Sequence, residues 1–233
     1  MSYTQPIGLD GLPLIRPLRR ISGGYETDVY RMADERYVVK VKHIVYGSAS
    51  IALAQALLQR AIAERFAAFL GVEHSVPSTF VVAYNHAGDV QVVTIQPFLK
   101  NARPLYTIDY PKLPRAQRHQ IMTQLGTIIR RAQICYRTTG MVPDVDGLSA
   151  GSPREVARLR APHMAPIHVW NFLIVRALLR SHNLLLTTDN RVVLVDYDLV
   201  MLHKPHVVHR IYSAFRALLF WRDLAVVWMH SNR

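Results

Sequence analysis

The stretch Ser181-His-Asn-Leu-Leu-Leu-Thr-Thr-Asp-Asn-Arg-Val-Val-Leu-Val-Asp-Tyr-Asp198 decides how the rest of the chain is read. Two apolar runs, Leu184 to Leu186 and Val192 to Val195, flank the polar tetrad Thr187, Thr188, Asp189 and Asn190. That pattern predicts a β-hairpin with its turn at Asp189-Asn190. Folding it back brings Asn183, which enters the first strand, beside Asp196, which leaves the second. An amide oxygen and a carboxylate placed together suit a hard divalent cation, and magnesium in phosphoryl-transfer sites takes one or two such ligands along with phosphate oxygens. A surface hairpin with a polar residue at each end is the reading that needs no ligand.

Asp196 follows Asn183 by thirteen positions, and Val195-Asp-Tyr-Asp198 stands where a related pattern often carries Ile-Asp-Trp-Glu. In these residues the chain resembles the protein-kinase-like superfamily, in particular its small-molecule and atypical branches. The resemblance implies that Asn183 and Asp196 bind magnesium and that the nucleotide is ATP.

The segments before the hairpin are then read for the remaining parts of such a fold. Residues 1–17 are rich in Pro and Gly and read as an N-terminal arm. From residue 18 the pattern is strand, turn, strand, turn, strand, with Gly23 and Gly24 in the first turn and Tyr37 to Val41 as the third strand. Anchoring Val29 on the Val of the kinase Gly-rich loop puts Ser22, Gly24 and Thr27 on its three Gly positions, of which only Gly24 keeps the glycine. Backbone N–H groups there could approach phosphates, although the β-carbon of Thr27 restricts the loop more than Gly would. A Gly-Gly hairpin turn without a ligand is the plainer alternative.

Val38-Val39-Lys40 resembles the strand whose Lys contacts the nucleotide phosphates. Alternation places Val38, Lys40 and Lys42 on one face and Tyr37, Val39 and Val41 on the other, so Lys42 remains an alternative to Lys40. Residues 48–70 carry Ile51, Ala54, Leu58, Ile62, Phe66 and Phe69 at helical spacing, with Glu64 as the helix's one acid. The resemblance pairs Glu64 with Lys40; a solvated Glu64 beside Arg60 and Arg65 is the other reading. Two further strands, residues 78–84 and 89–95, lead to Gln96-Pro-Phe-Leu-Lys100, the position of the adenine-binding hinge. Pro97 has no N–H, so Phe98 or Leu99 would be the donor.

Residues 114–139 predict a long helix with Ile121, Leu125, Ile128, Ile129 and Ile134 inside. Gly140-Met-Val-Pro-Asp144 follows it, and the resemblance makes Asp144 the base that takes a proton from the phosphate acceptor, with Asp146 as a second candidate. Asn183 lies thirty-four residues beyond the family's spacing of five, so either an insertion at about 145–180 separates the two or the chain lacks the base. Residues 209–230 predict a last helix, with Trp221 and Trp228 expected in the core. His203, His206 and His209 lack the accompanying ligands of a zinc site.

Composition sets the outer bounds. The chain has 233 residues, 50% hydrophobic and 19% charged, a net charge of +12 and a pI near 10.2. It is long enough to bury a core, and no apolar stretch is long enough to span a bilayer. No basic stretch followed by an apolar core opens the sequence, and a lone cysteine, Cys135, is what a reducing compartment allows, which together predict a cytoplasmic protein. The charge would attract a polyanion or an acidic partner protein.

These readings converge on an α+β protein with a two-lobed kinase-like fold: a five-stranded N-lobe over 18–100, a reduced helical C-lobe over 101–233 and a nucleotide cleft between them. The implied function is an ATP- and magnesium-dependent phosphotransferase of unknown acceptor. The alternatives are a pseudokinase serving as a nucleotide-binding or scaffolding module and, third, a basic nucleic-acid-binding domain.

Overall fold

The computed structural model describes residues 7–8, 19–23, 27–85, 87–145, 178–197 and 206–231. The chain is mixed α and β, and it divides into two compact units, one of residues 1–64 and 76–99, the other of 65–75 and 100–233.

The first unit is built on one sheet. Its strands are β1 (Ile7–Gly8), β2 (Arg19–Gly23), β3 (Thr27–Arg31), β4 (Tyr37–Lys42), β5 (Thr79–Tyr84) and β6 (Val90–Pro97), in the order β1-β5-β6-β4-β3-β2. Four of its five pairings are antiparallel, because short turns join most consecutive strands. The fifth pairing corrects the expectation of a plain lead-in arm: Ile7 and Gly8 form β1, a parallel strand beside β5. Helix α1 (Ala49–Leu70) begins in this unit.

Both faces of the sheet carry apolar side chains. On one, Met32, Val39, Val81, Ala83 and Val93 form a buried cluster with Tyr37 and Val41 against it. On the other, Ala52 and Ala56 of α1 pack on Val82, Val90 and Val92. These small residues, rather than Ile51, Ala54 and Leu58, turn to the sheet; the larger Ile51 and Leu58 are exposed. Further along the helix, Ile62 and Phe66 are buried as the spacing predicts.

The second unit contains the helices α2 (Arg115–Thr139) and α3 (His206–Ser231), which pack on each other, and a small sheet of β7 (Arg103–Pro104), β8 (Leu184–Leu186) and β9 (Val192–Leu194). Pro114 precedes the first residue of α2, and Gly140 closes it at φ 71°, a left-handed conformation that glycine adopts without the β-carbon penalty. Ile121, Leu125, Ile128 and Ile129 are buried as the periodicity predicts, whereas Ile134 is exposed and Cys135 takes the inward position one residue on. Burial raises the Cys135 thiol above its ordinary pKa. Trp221 and Trp228 depart furthest from expectation, at 66% and 67% exposed; among the described side chains of α3, Leu219, Phe220, Asp223 and Val227 are buried instead.

The end of α1 is fixed within this second unit. Arg131 donates to the Leu70 carbonyl, one of the groups a helix terminus leaves unpaired, and to Glu73 Oε1 at 2.6 Å. Gly71 follows at φ 90° and ψ 148°, a region that other residues essentially avoid, and a β-carbon there would collide with Arg131 and Glu73.

Candidate functional site

The hairpin forms where the sequence places it. Leu184, Leu185 and Leu186 pair with Leu194, Val193 and Val192. Its turn is closed by Thr187 N–H to Arg191 O at 2.9 Å, with Asn190 at φ 61°, a conformation Asn tolerates better than most residues. The Thr187 hydroxyl and then Arg191 hold the Asp189 carboxyl below its ordinary pKa.

An edge strand exposes unpaired backbone groups, and here side chains cover those of Val192. Its N–H donates to Gln124 Oε1 at 2.9 Å, while Gln124 Nε2 donates to Asn190 O at 2.7 Å. Its carbonyl accepts from His74 Nδ1 at 2.8 Å. One strand is thereby tied to α2 and to the segment after α1. Gln124 went unremarked as a sequence feature, though a legible signal existed: it lies on the α2 stripe with Ile121 and Ile128, and a polar residue on an apolar stripe needs a partner.

At the open end of the hairpin several polar groups meet. Asn183 Nδ2 donates to the backbone oxygen of Asp144 at 2.8 Å and to its carboxylate Oδ2 at 3.2 Å. Ser181, fully buried, donates its hydroxyl to Val145 O and accepts from the N–H groups of Asn183 and Leu184, each at 3.1 Å. The Val195 N–H donates to Asn183 O at 3.0 Å, which sets the next residue, half-buried Asp196, at the same end. Asp144, Asn183 and Asp196 thus converge on one end of one hairpin, whatever lies between Asp144 and Asn183 in sequence. Ser181 is the residue that reading missed; it stands two positions before Asn183, where a hydroxyl can bond the backbone of its own turn.

Because its Nδ2 faces Asp144, the Asn183 amide presents Oδ1 the other way, and among the described residues no donor meets that oxygen. Oδ1 and the Asp196 carboxylate are hard oxygen donors and fit the chemistry of magnesium. Asp144 itself is 1% exposed.

In the sheet unit, Lys40 stands opposite Thr94, and Thr94 shares its face with Val92, on which α1 packs. In the same cross-strand row Ser22 is opposite Val29, and Val29 is opposite Lys40; Thr27 is opposite Lys42. Glu64 pairs with Arg60 one turn earlier, at 2.7 Å, on a side chain 63% exposed, where the expected partner was Lys40. The i,i+4 spacing puts the two within reach on any helix, so no tertiary contact is needed to form that pair. The hinge expectation changes as well. The Phe98 N–H donates to Arg36 O at 2.8 Å, extending the β4–β6 pairing one residue past Pro97, which leaves Leu99 as the remaining donor. Gly24, Asp146, His203 and most of the expected insertion lie outside the described residues.

The chain matches no family model and no curated protein. Among the described residues no helix is long and apolar enough to cross a membrane, and no three or more His, Cys, Asp and Glu side chains group as metal ligands would.

Proposed function

We propose that the chain is an ATP- and magnesium-dependent phosphotransferase of the protein-kinase-like type. The observation that carries the reading is the convergence of Asp144, Asn183 and Asp196 at one hairpin end, with the Asn183 amide oriented by Asp144. In this reading Asn183 Oδ1 and Asp196 would hold the cation, which when bound would supply positive charge to offset that of the phosphates, and Lys40 is the phosphate-binding lysine of the sheet unit. Asp144 takes the proton of an acceptor hydroxyl as its oxygen forms a bond to the terminal phosphorus and the bond to ADP breaks.

A second reading, a nucleotide-binding pseudokinase, is favoured by two observations. Glu64 is engaged with Arg60, and Asp144 is almost wholly buried, where an acceptor hydroxyl would have to reach it.

The test begins with binding, which both readings require. A ligand at a hundred times its dissociation constant stabilises by about 2.7 kcal/mol. For a chain of this size each kcal/mol is worth roughly 2–4 °C in melting temperature. ATP with magnesium is expected to raise the melting temperature by several degrees, and Asp196→Ala to lose the magnesium-dependent part. No rise at millimolar nucleotide would sink both readings.

A further inference from the structure

We propose that the α2–α3 helix pair docks on an anionic lipid surface through the exposed tryptophan face of α3. This is independent of the nucleotide chemistry proposed above. The face consists of Leu218, Trp221, Trp228 and Met229, exposed by 56%, 66%, 67% and 44%, with exposed Ala225 between them. Their spacing puts all five on one side of the helix, opposite the buried Leu219, Phe220, Asp223 and Val227. α3 therefore has two apolar sides: one fills the interior of its unit and the other is presented outward. An exposed apolar stripe of this kind marks an interaction surface more often than scattered single residues do.

Charge selects the occupant. Together α2 and α3 contain eight Arg, no Lys, no Glu and one Asp, and that one, Asp223, is buried and paired with Arg222 at 2.6 Å. Arg115, Arg118, Arg130 and Arg137 of α2 form no ion pair with the described residues. A second copy of the chain would bring the same positive charge to the contact and be repelled. Nucleic acid would satisfy the arginines and could stack on Trp, but it has no apolar layer for Leu218 and Met229. An anionic bilayer supplies both a negative surface potential and an apolar layer beneath it, and the amphipathic indole ring favours the boundary between them. A helix with Trp and Leu on one outward side, in an arginine-rich helix pair, suits a position in the plane of such an interface without crossing it.

The experiment uses the full chain with vesicles of phosphatidylcholine, with and without phosphatidylserine. The protein should sediment with the phosphatidylserine vesicles alone, its tryptophan emission should shift to the blue, and 1 M salt, where the Debye length is about 3 Å, should weaken the association. The double variant Trp221→Ser/Trp228→Ser should lose at least about tenfold in partitioning and lose the blue shift, since Trp170 is the one tryptophan it retains. Should that variant fail to fold, Leu218→Ser carries the same test. Three outcomes would overturn the proposal: no association with phosphatidylserine vesicles, vesicle affinity that the folded Trp or Leu218 variant keeps, or a dimer in sedimentation velocity that the same variant abolishes.

Discussion

The sheet unit and the helical unit of this chain are held together in different ways. The sheet unit has eight Lys and Arg against seven Asp and Glu, a surplus of one, and its long-range order is backbone pairing between neighbouring strands of one sheet. The helical unit has twenty against nine, so +11 of the chain's +12 resides there. Its small sheet is fastened by single side chains that reach across the sequence: His74 to Val192, Gln124 to Val192 and Asn190, Asn183 to Asp144. A backbone ladder shares its load over many equivalent bonds, whereas a clasp made by one amide is lost with one residue. The units should therefore differ in their tolerance of single substitutions.

The largest effect is expected at the clasp that is also the proposed site. Asp144→Asn retains a carbonyl oxygen for Asn183 Nδ2 but removes the charge. Phosphate transfer should fall by at least about a hundredfold, the contribution typical of a positioned base, while the ATP-induced rise in melting temperature persists. Activity present in the wild type and unchanged in the variant would show that Asp144 is a clasp alone.

Gln124→Leu comes next and tests the clasp without touching the site. It strands the Val192 N–H and the Asn190 carbonyl, each at a cost of about 1–3 kcal/mol if water does not reach it. The melting temperature should drop by several degrees. A loss no larger than that of a surface substitution would mean the β8–β9 hairpin stands without α2.

A smaller effect is expected on the acid side. The Arg131 guanidinium, hydrogen-bonded to Glu73, holds the Glu73 carboxyl below its ordinary value of 4.5. A carboxylate depressed in the folded state contributes stability that is present above the unfolded value and lost as pH falls through the folded one. Denaturation midpoints measured downward from pH 4.5 should decline less steeply in Glu73→Gln than in the wild type. Parallel declines would remove the ion pair from the acid response. The smallest effect belongs to the sheet unit's exposed pair: Arg60→Ala, which frees Glu64, should change stability by no more than about 0.5 kcal/mol. A larger loss would mean that Glu64 does more than pair with Arg60 across one turn.

Legibility follows the same division. The strand runs of the sheet unit could be read because alternation and turn residues are local signals, and α2 could be read because its buried stripe repeats from Ile121 to Cys135, about four turns. The hairpin of residues 184–194 was legible for the same reason, and with it the adjacency of Asn183 and Asp196. The sheet-facing side of α1's first turns and the inner face of α3 were not, although Ile62 and Phe66 of α1 are buried as expected. Periodicity reports that a helix has an apolar side, but α1 turns alanines inward and α3 has apolar residues on two sides, so composition could not choose between them.

By itself the sequence determined what short-range chemistry determines: the strand runs from β2 to β6, the three long helices, that Asn190 can turn the hairpin, and that the charge is strongly positive. Tertiary structure alone decided that Asp144 meets Asn183 across 39 positions, that Ser181 organises their turn, that the Phe98 N–H is spent on Arg36, and that Trp221 and Trp228 face outward. The reason is physical. A donor bonds whichever acceptor the packed chain brings within about 3 Å, and that proximity is a property of the whole fold, which no local pattern of residues encodes.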